Sequence, residues 1–83
     1  MRKSILIVDD EKNTREGIAK FLKSKGYTCF LADNGKNALK ILSAQPVDLM
    51  ITDIRMPALS GMDLIKESKQ RYRQIPIIVL TAY

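Results

Sequence analysis

Apolar residues along the chain fall in short runs separated by amphipathic stretches. Ile5-Leu6-Ile7-Val8 is a continuous apolar run stopped by Asp9-Asp10-Glu11, the pattern of a strand buried on both faces. A helical period follows, with Ile18, Phe21 and Leu22 on one face and Lys20, Lys23 and Lys25 mostly opposite. Gly26 stands where a glycine ends a helix. Tyr27 to Ala32 is rich in β-formers and predicts a second strand. Asp33-Asn34-Gly35 then turns the chain into a helix carrying Ala38, Leu39, Ile41 and Leu42 on its apolar side. Pro46 closes that helix, and Val47 to Thr52 predicts a third strand ending on Asp53. Met56-Pro57 and Ser60-Gly61 mark an irregular loop before a third helix, roughly residues 61 to 71, that buries Leu64 and Ile65. Ile75-Pro76 opens a fourth strand, Ile77-Ile78-Val79-Leu80, finishing at Thr81; proline is tolerated at a strand's first position, where no ladder donor is needed.

The predicted order is βαβαβαβ. Strands alternating with helices of this length imply parallel crossovers and an α/β sheet with helices on both faces. Ligands of such sheets bind outside the carboxyl ends of the strands, so the residues ending the strands are the ones to inspect.

Composition narrows the field. Eighty-three residues make one domain or less, and 46% hydrophobic with 28% charged residues argues against disorder. No apolar run approaches the roughly 20 residues needed to cross a bilayer, and no signal-peptide core survives the acids at 9–11. One cysteine, Cys29, and no histidine exclude a disulfide scaffold, a zinc finger and any histidine base. A reducing cytoplasm is the expected compartment. The net charge of +5 invites a nucleic-acid reading, but the excess lies in Arg2, Lys3, Lys20, Lys23, Lys25, Lys66, Lys69, Arg71 and Arg73, largely on helical polar faces and without a recognition motif. No direct nucleic-acid contact is expected. Cys29, Phe21, Tyr27 and Phe30 read as packing residues.

Chemistry concentrates at strand ends: Asp9 and Asp10 after the first, Asp53 after the third, Thr81 after the fourth. Taken singly, Asp9 or Asp10 reads as a helix N-cap, Asp53 as a turn cap and Thr81 as a β-branched strand residue. Taken together at one edge of a parallel sheet, they read as a site. Two carboxylates about 5 Å apart repel by roughly 3 kcal/mol at an effective dielectric near 20, so a cation between them is expected. With neither His nor a Cys placed there, the ligands are oxygens, which suits Mg²⁺, with Mn²⁺ the alternative. Open positions for water and a phosphate oxygen, and a carboxylate as nucleophile, outline phosphoryl transfer.

Four segments carry a family resemblance. Ile5-Leu6-Ile7-Val8-Asp9-Asp10-Glu11, the stretch Asp48 to Pro57, Ser60-Gly61-Met62-Asp63-Leu64 and Ile77-Ile78-Val79-Leu80-Thr81-Ala82 resemble the response-regulator receiver domain of two-component signalling. The resemblance implies a doubly wound, flavodoxin-like sheet and a phosphoacceptor regulatory domain. In it, Asp53 accepts a phosphoryl group from a sensor histidine kinase. Asp9 or Asp10, chiefly Asp10, holds Mg²⁺ with Asp53 and the backbone carbonyl of Arg55, and Thr81 contacts the phosphoryl oxygens and reports the modification. Asp53-Ile54-Arg55-Met56-Pro57 looks most like receivers of transcription activators.

Against the family pattern, residues 1–83 read as a partial receiver that stops after the fourth strand. It lacks the last helix, strand and helix, and with them a lysine that pairs with the phosphoryl group. The edge of Ile77–Leu80 is then expected open, and self-association through it follows. Two rivals stand beside the phosphoacceptor: a receiver-derived binding or oligomerisation module that has lost signalling, and an aspartate-nucleophile phosphohydrolase. The hydrolase usually needs a second acid two positions after the nucleophile, where this chain has Arg55.

Overall fold

A computed structural model of the chain describes residues 2–54 and 61–80. Its elements run β1 (Ser4–Val8), α1 (Lys12–Ser24), β2 (Thr28–Ala32), α2 (Gly35–Ala44), β3 (Leu49–Asp53), α3 (Gly61–Arg71) and β4 (Ile77–Leu80). The four strands form one parallel sheet in the order β2-β1-β3-β4. The predicted α/β architecture is therefore the observed one, with β1 and β3 adjacent at its centre.

Alternation along β1 divides the core in two. Leu6 and Val8 point to one face, where they meet Met50, Ala38 and Leu42 of α2, and Leu64 of α3. Ile5 and Ile7 point to the other, where Ile51 and Ala19 join them and Ile18 and Leu22 of α1 pack alongside. Both faces of β1 are buried from Ile5 onward, which is why its sequence shows no polar alternation. One face thus carries two helices and the other only α1 among the described residues. Beyond α1 lies an apolar groove of about 590 Å³, lined among others by Leu22, Leu49, Ile51, Pro76 and Ile78. At its far side β4 leaves Ile78 49% and Val79 39% exposed, one on each face.

The ends of α1 are set by local chemistry. Glu11, with extended backbone, caps its start: the Glu11 carboxylate accepts from the backbone N–H of Asn13 at 3.0 Å and of Thr14 at 2.8 Å. Sequence reasoning offered Asp9 or Asp10 for this task, and the cap falls one residue later. At the other end Gly26 takes φ 96°, and the N–H groups of Lys25, Gly26 and Tyr27 fold back onto Leu22 and Lys23 carbonyls. Because the Tyr27 N–H is spent on the helix, β2 begins at Thr28 rather than at Tyr27.

Three further expectations are corrected. Phe21 is 60% exposed, not packed on the sheet; Lys25 Nζ lies 5.5 Å from its ring centroid. At about 100° per residue, Arg15, Ile18, Ala19 and Leu22 share one arc of α1, and Phe21 falls about 110° from its centre. Tyr27 is likewise exposed. The third strand starts at Leu49, because Asp48 closes the turn before it: its N–H donates to the Ser4 carbonyl and its Oδ2 accepts from the Ser4 N–H, both at 2.8 Å.

Candidate functional site

The carboxyl ends of β1 and β3 bring the predicted acids together. The two strands pair in register from Ile5 with Leu49 to Val8 with Thr52, so the chain leaves β1 at Asp9 beside the last residue of β3, Asp53. One carboxylate oxygen from each of Asp9, Asp10 and Asp53 lies within 4.8 Å of the others. Asp9 and Asp53 are buried and Asp10 is exposed, so the cluster opens to solvent on one side.

Asp9 is held at three points. Its N–H donates to the Ala32 carbonyl at 3.1 Å, extending the β1–β2 ladder. Its Oδ1 accepts the Glu11 N–H at 2.9 Å, and its carbonyl accepts from Arg15 Nη1 at 2.7 Å. Burial pushes the Asp9 carboxyl above its ordinary value; the Glu11 N–H partly offsets this, and the negative charges of Asp53, Asp10 and Glu11 add to the rise. Next to Asp53, the buried Thr52 hydroxyl donates to the Asp53 carbonyl at 3.0 Å.

The donor set is all oxygen, clustered and strained by its own charge. That fits a hard divalent cation such as Mg²⁺ and suits neither zinc nor a soft metal. Of the other expected site residues, Arg55 and Thr81 lie outside the described residues. Sequence reasoning missed Arg15. The available signal was its place one turn into the helix that follows the acids, on the arc shared with Ile18 and Leu22.

Comparison with known proteins places this geometry. The sequence profile described as the response regulator receiver domain matches residues 5–83. The chain belongs to this family. It is 43% identical over 79 residues to response regulator RR06 of Streptococcus pneumoniae, covering 95% of this chain and 36% of that protein. It is 35% identical, again over 79 residues, to the DNA-binding transcriptional regulator NtrC of Escherichia coli, covering 95% of this chain and 17% of NtrC. The chain thus spans well under half the length of these relatives.

Among solved structures, the receiver resembles Thermotoga maritima TrrA in complex with Mg²⁺-BeF, at 43% identity and TM-score 0.92. The match covers 98% of this chain and 70% of that one. It also resembles TrrA in its complex with the histidine kinase ThkA, at TM-score 0.90 and the same identity and coverage. Receivers are signalling modules rather than typical enzymes. Among the described residues no helix of this one is long and apolar enough to cross a membrane.

Proposed function

We propose that this receiver accepts a phosphoryl group on Asp53 from a sensor histidine kinase, with Mg²⁺ held by Asp9, Asp10 and Asp53. The convergence of three carboxylate oxygens within 4.8 Å is the observation that supports it. In the transfer, a carboxylate oxygen of Asp53 attacks phosphorus, the bond from phosphorus to the kinase imidazole breaks, and the leaving nitrogen keeps the electron pair. When bound, Mg²⁺ neutralises charge on the carboxylates and on the incoming phosphoryl oxygens. Asp9, anchored on both sides, keeps the acidic pocket in shape through the change of charge. The Arg55 carbonyl as a further ligand and Thr81 as phosphoryl contact and switch belong to the proposal through the family resemblance.

The proposal reads residues 1–83 as part of a receiver, working in the cytoplasm as the regulatory piece of a transcription regulator. It assigns these residues no nucleic-acid contact of their own. Similarity to TrrA in its Mg²⁺-BeF complex, to TrrA in its histidine-kinase complex and to NtrC supports the metal, the kinase and the output, respectively.

The test is intact mass after incubation with Mg²⁺ and a small-molecule phosphodonor. The expected result is one phosphoryl adduct in the parent and none in Asp53→Asn. No adduct in a folded parent rejects the reading and favours a module that binds without signalling. Turnover of a phosphate ester that Asp53→Asn abolishes favours a hydrolase instead.

The exposed Ile78 and Val79, and the apolar groove that Ile78 lines, support self-association through β4. Sedimentation is expected to show a concentration-dependent dimer that Ile78→Lys disperses. A monomer at all concentrations rejects the interface.

A further inference from the structure

We propose that Arg15 is a positioning residue that aims Asp10 into the acidic cluster. The inference rests on the reading above, in which Asp10 is a metal ligand. Among the described residues, no hydrogen bond holds the Asp10 carboxylate, and Asp10 is exposed. Its direction therefore comes from its own backbone.

That backbone is fixed from outside. The Asp9 carbonyl and the Asp10 N–H belong to one planar peptide unit, so the direction of the carbonyl oxygen sets where the Asp10 Cα lies. The next peptide unit is held by the Glu11 N–H on Asp9 Oδ1, and with a unit fixed on either side of that Cα the direction of Cβ follows. Arg15 Nη1 holds the Asp9 carbonyl oxygen at 2.7 Å, by a hydrogen bond that its charge makes roughly twice as strong as a neutral one. The preceding peptide unit is held separately, by the Asp9 N–H on the Ala32 carbonyl. With both planes pinned, neither soft dihedral of Asp9 is free. Arg15 itself is registered on the sheet, because Ile18, Ala19 and Leu22 of the same helix pack against Ile5 and Ile7. Arg15 also lines a cleft of about 440 Å³ together with Asp33, Asn37 and Lys40.

Charge and position predict opposite signs, which makes the idea testable. If Arg15 acted on the site only through its positive charge, its removal would tighten Mg²⁺ binding to the three carboxylates. If it positions Asp10, its removal loosens binding. Loss of an outer-shell partner of a metal ligand typically costs about 10-fold or more in affinity, and a loosening of about that size is expected for Arg15→Gln. Arg15→Lys, which keeps the charge but not the planar fork, should fall between the two.

Two measurements on the whole chain decide the matter. In metal-free protein, Arg15→Gln is expected to shift and exchange-broaden the Asp10 amide resonance while Ile7 and Val8 stay in place. In a Mg²⁺ titration of parent, Arg15→Gln and Arg15→Lys, the order of affinity should be parent, Lys, Gln. An unmoved Asp10 amide, or binding by Arg15→Gln as tight as the parent or tighter, overturns the proposal. If the parent binds no Mg²⁺ but the Asp10 amide responds, Arg15 keeps its positioning role and the metal reading is what fails. Should Arg15→Gln unfold, Arg15→Lys carries both measurements, with smaller changes in the same directions.

Discussion

Asp9 and Asp53 each lie one residue beyond a paired position, Val8 and Thr52, on adjacent parallel strands, and this register alone sets their carboxylates side by side. A one-residue slip between β1 and β3 would send one acid to the wrong face of the sheet. The site is thus specified by strand pairing, and strand pairing by which residues of β1 and β3 enter each half of the core.

Two acids at this corner predict opposite pH dependences. Burial raises the Asp9 carboxyl above 3.8, so the folded chain holds that proton more tightly than the unfolded one. Its contribution to stability in metal-free buffer therefore falls as pH rises from about 3.8 through the raised value. Asp9→Asn should remove that loss. Glu11 is shifted the other way, first by the Thr14 hydroxyl and then by the Thr14 and Asn13 N–H groups. Its contribution is complete above 4.5 and disappears as pH falls through the lowered value. Urea unfolding at pH 3 to 7 of the parent, Asp9→Asn and Glu11→Gln tests both signs.

Ser68 is buried in α3, and among the described residues its Oγ has no hydrogen-bond partner. A buried hydroxyl without a hydrogen bond costs about 1–3 kcal/mol. Ser68→Ala is expected to raise stability by about 1 kcal/mol, read from the urea midpoint at constant slope.

Leu6 and Leu64 belong to the same core cluster on the two-helix face and are wholly buried. Truncating either to alanine should cost about 2–5 kcal/mol, a large part of a small domain's stability. Phe21→Ala, in contrast, should stay within about 0.5 kcal/mol of the parent, because its ring lies on the solvent side of α1.

Burial pushes the Cys29 thiol upward, Lys23 offsets only part of the shift, and Sγ sits 3.8 Å from the Ala19 carbonyl. Alkylation at neutral pH should be slower in the folded chain than in urea. Equal rates would show the thiol to be open.

Much of this was legible in the sequence for a physical reason. Periodicity tells strand from helix, and acids closing apolar runs mark the carboxyl edge of a parallel sheet, so Asp9, Asp10 and Asp53 could be named before any coordinates. What escaped depends on exact angle or on competition for a single hydrogen bond. Phe21 lies only about 60° from Ile18 but about 110° from the centre of the buried arc, so a period read through Ile18 takes it in although its ring faces solvent. Tyr27 looks like a strand residue until its N–H is seen to be taken by Leu22. Arg15 looks like any helical cation until its guanidinium meets a carbonyl six residues earlier.

The segment between α2 and β3, around Pro46, is the tether by which β3 reaches β1, and the acids it unites belong to two separate stretches of chain. While the tether is intact, each half of the site sees the other at the high effective concentration of a linked pair. A single proteolytic cut there would make the meeting of Asp9 and Asp53 bimolecular. Metal affinity would then depend on protein concentration, though no residue of the site had been touched.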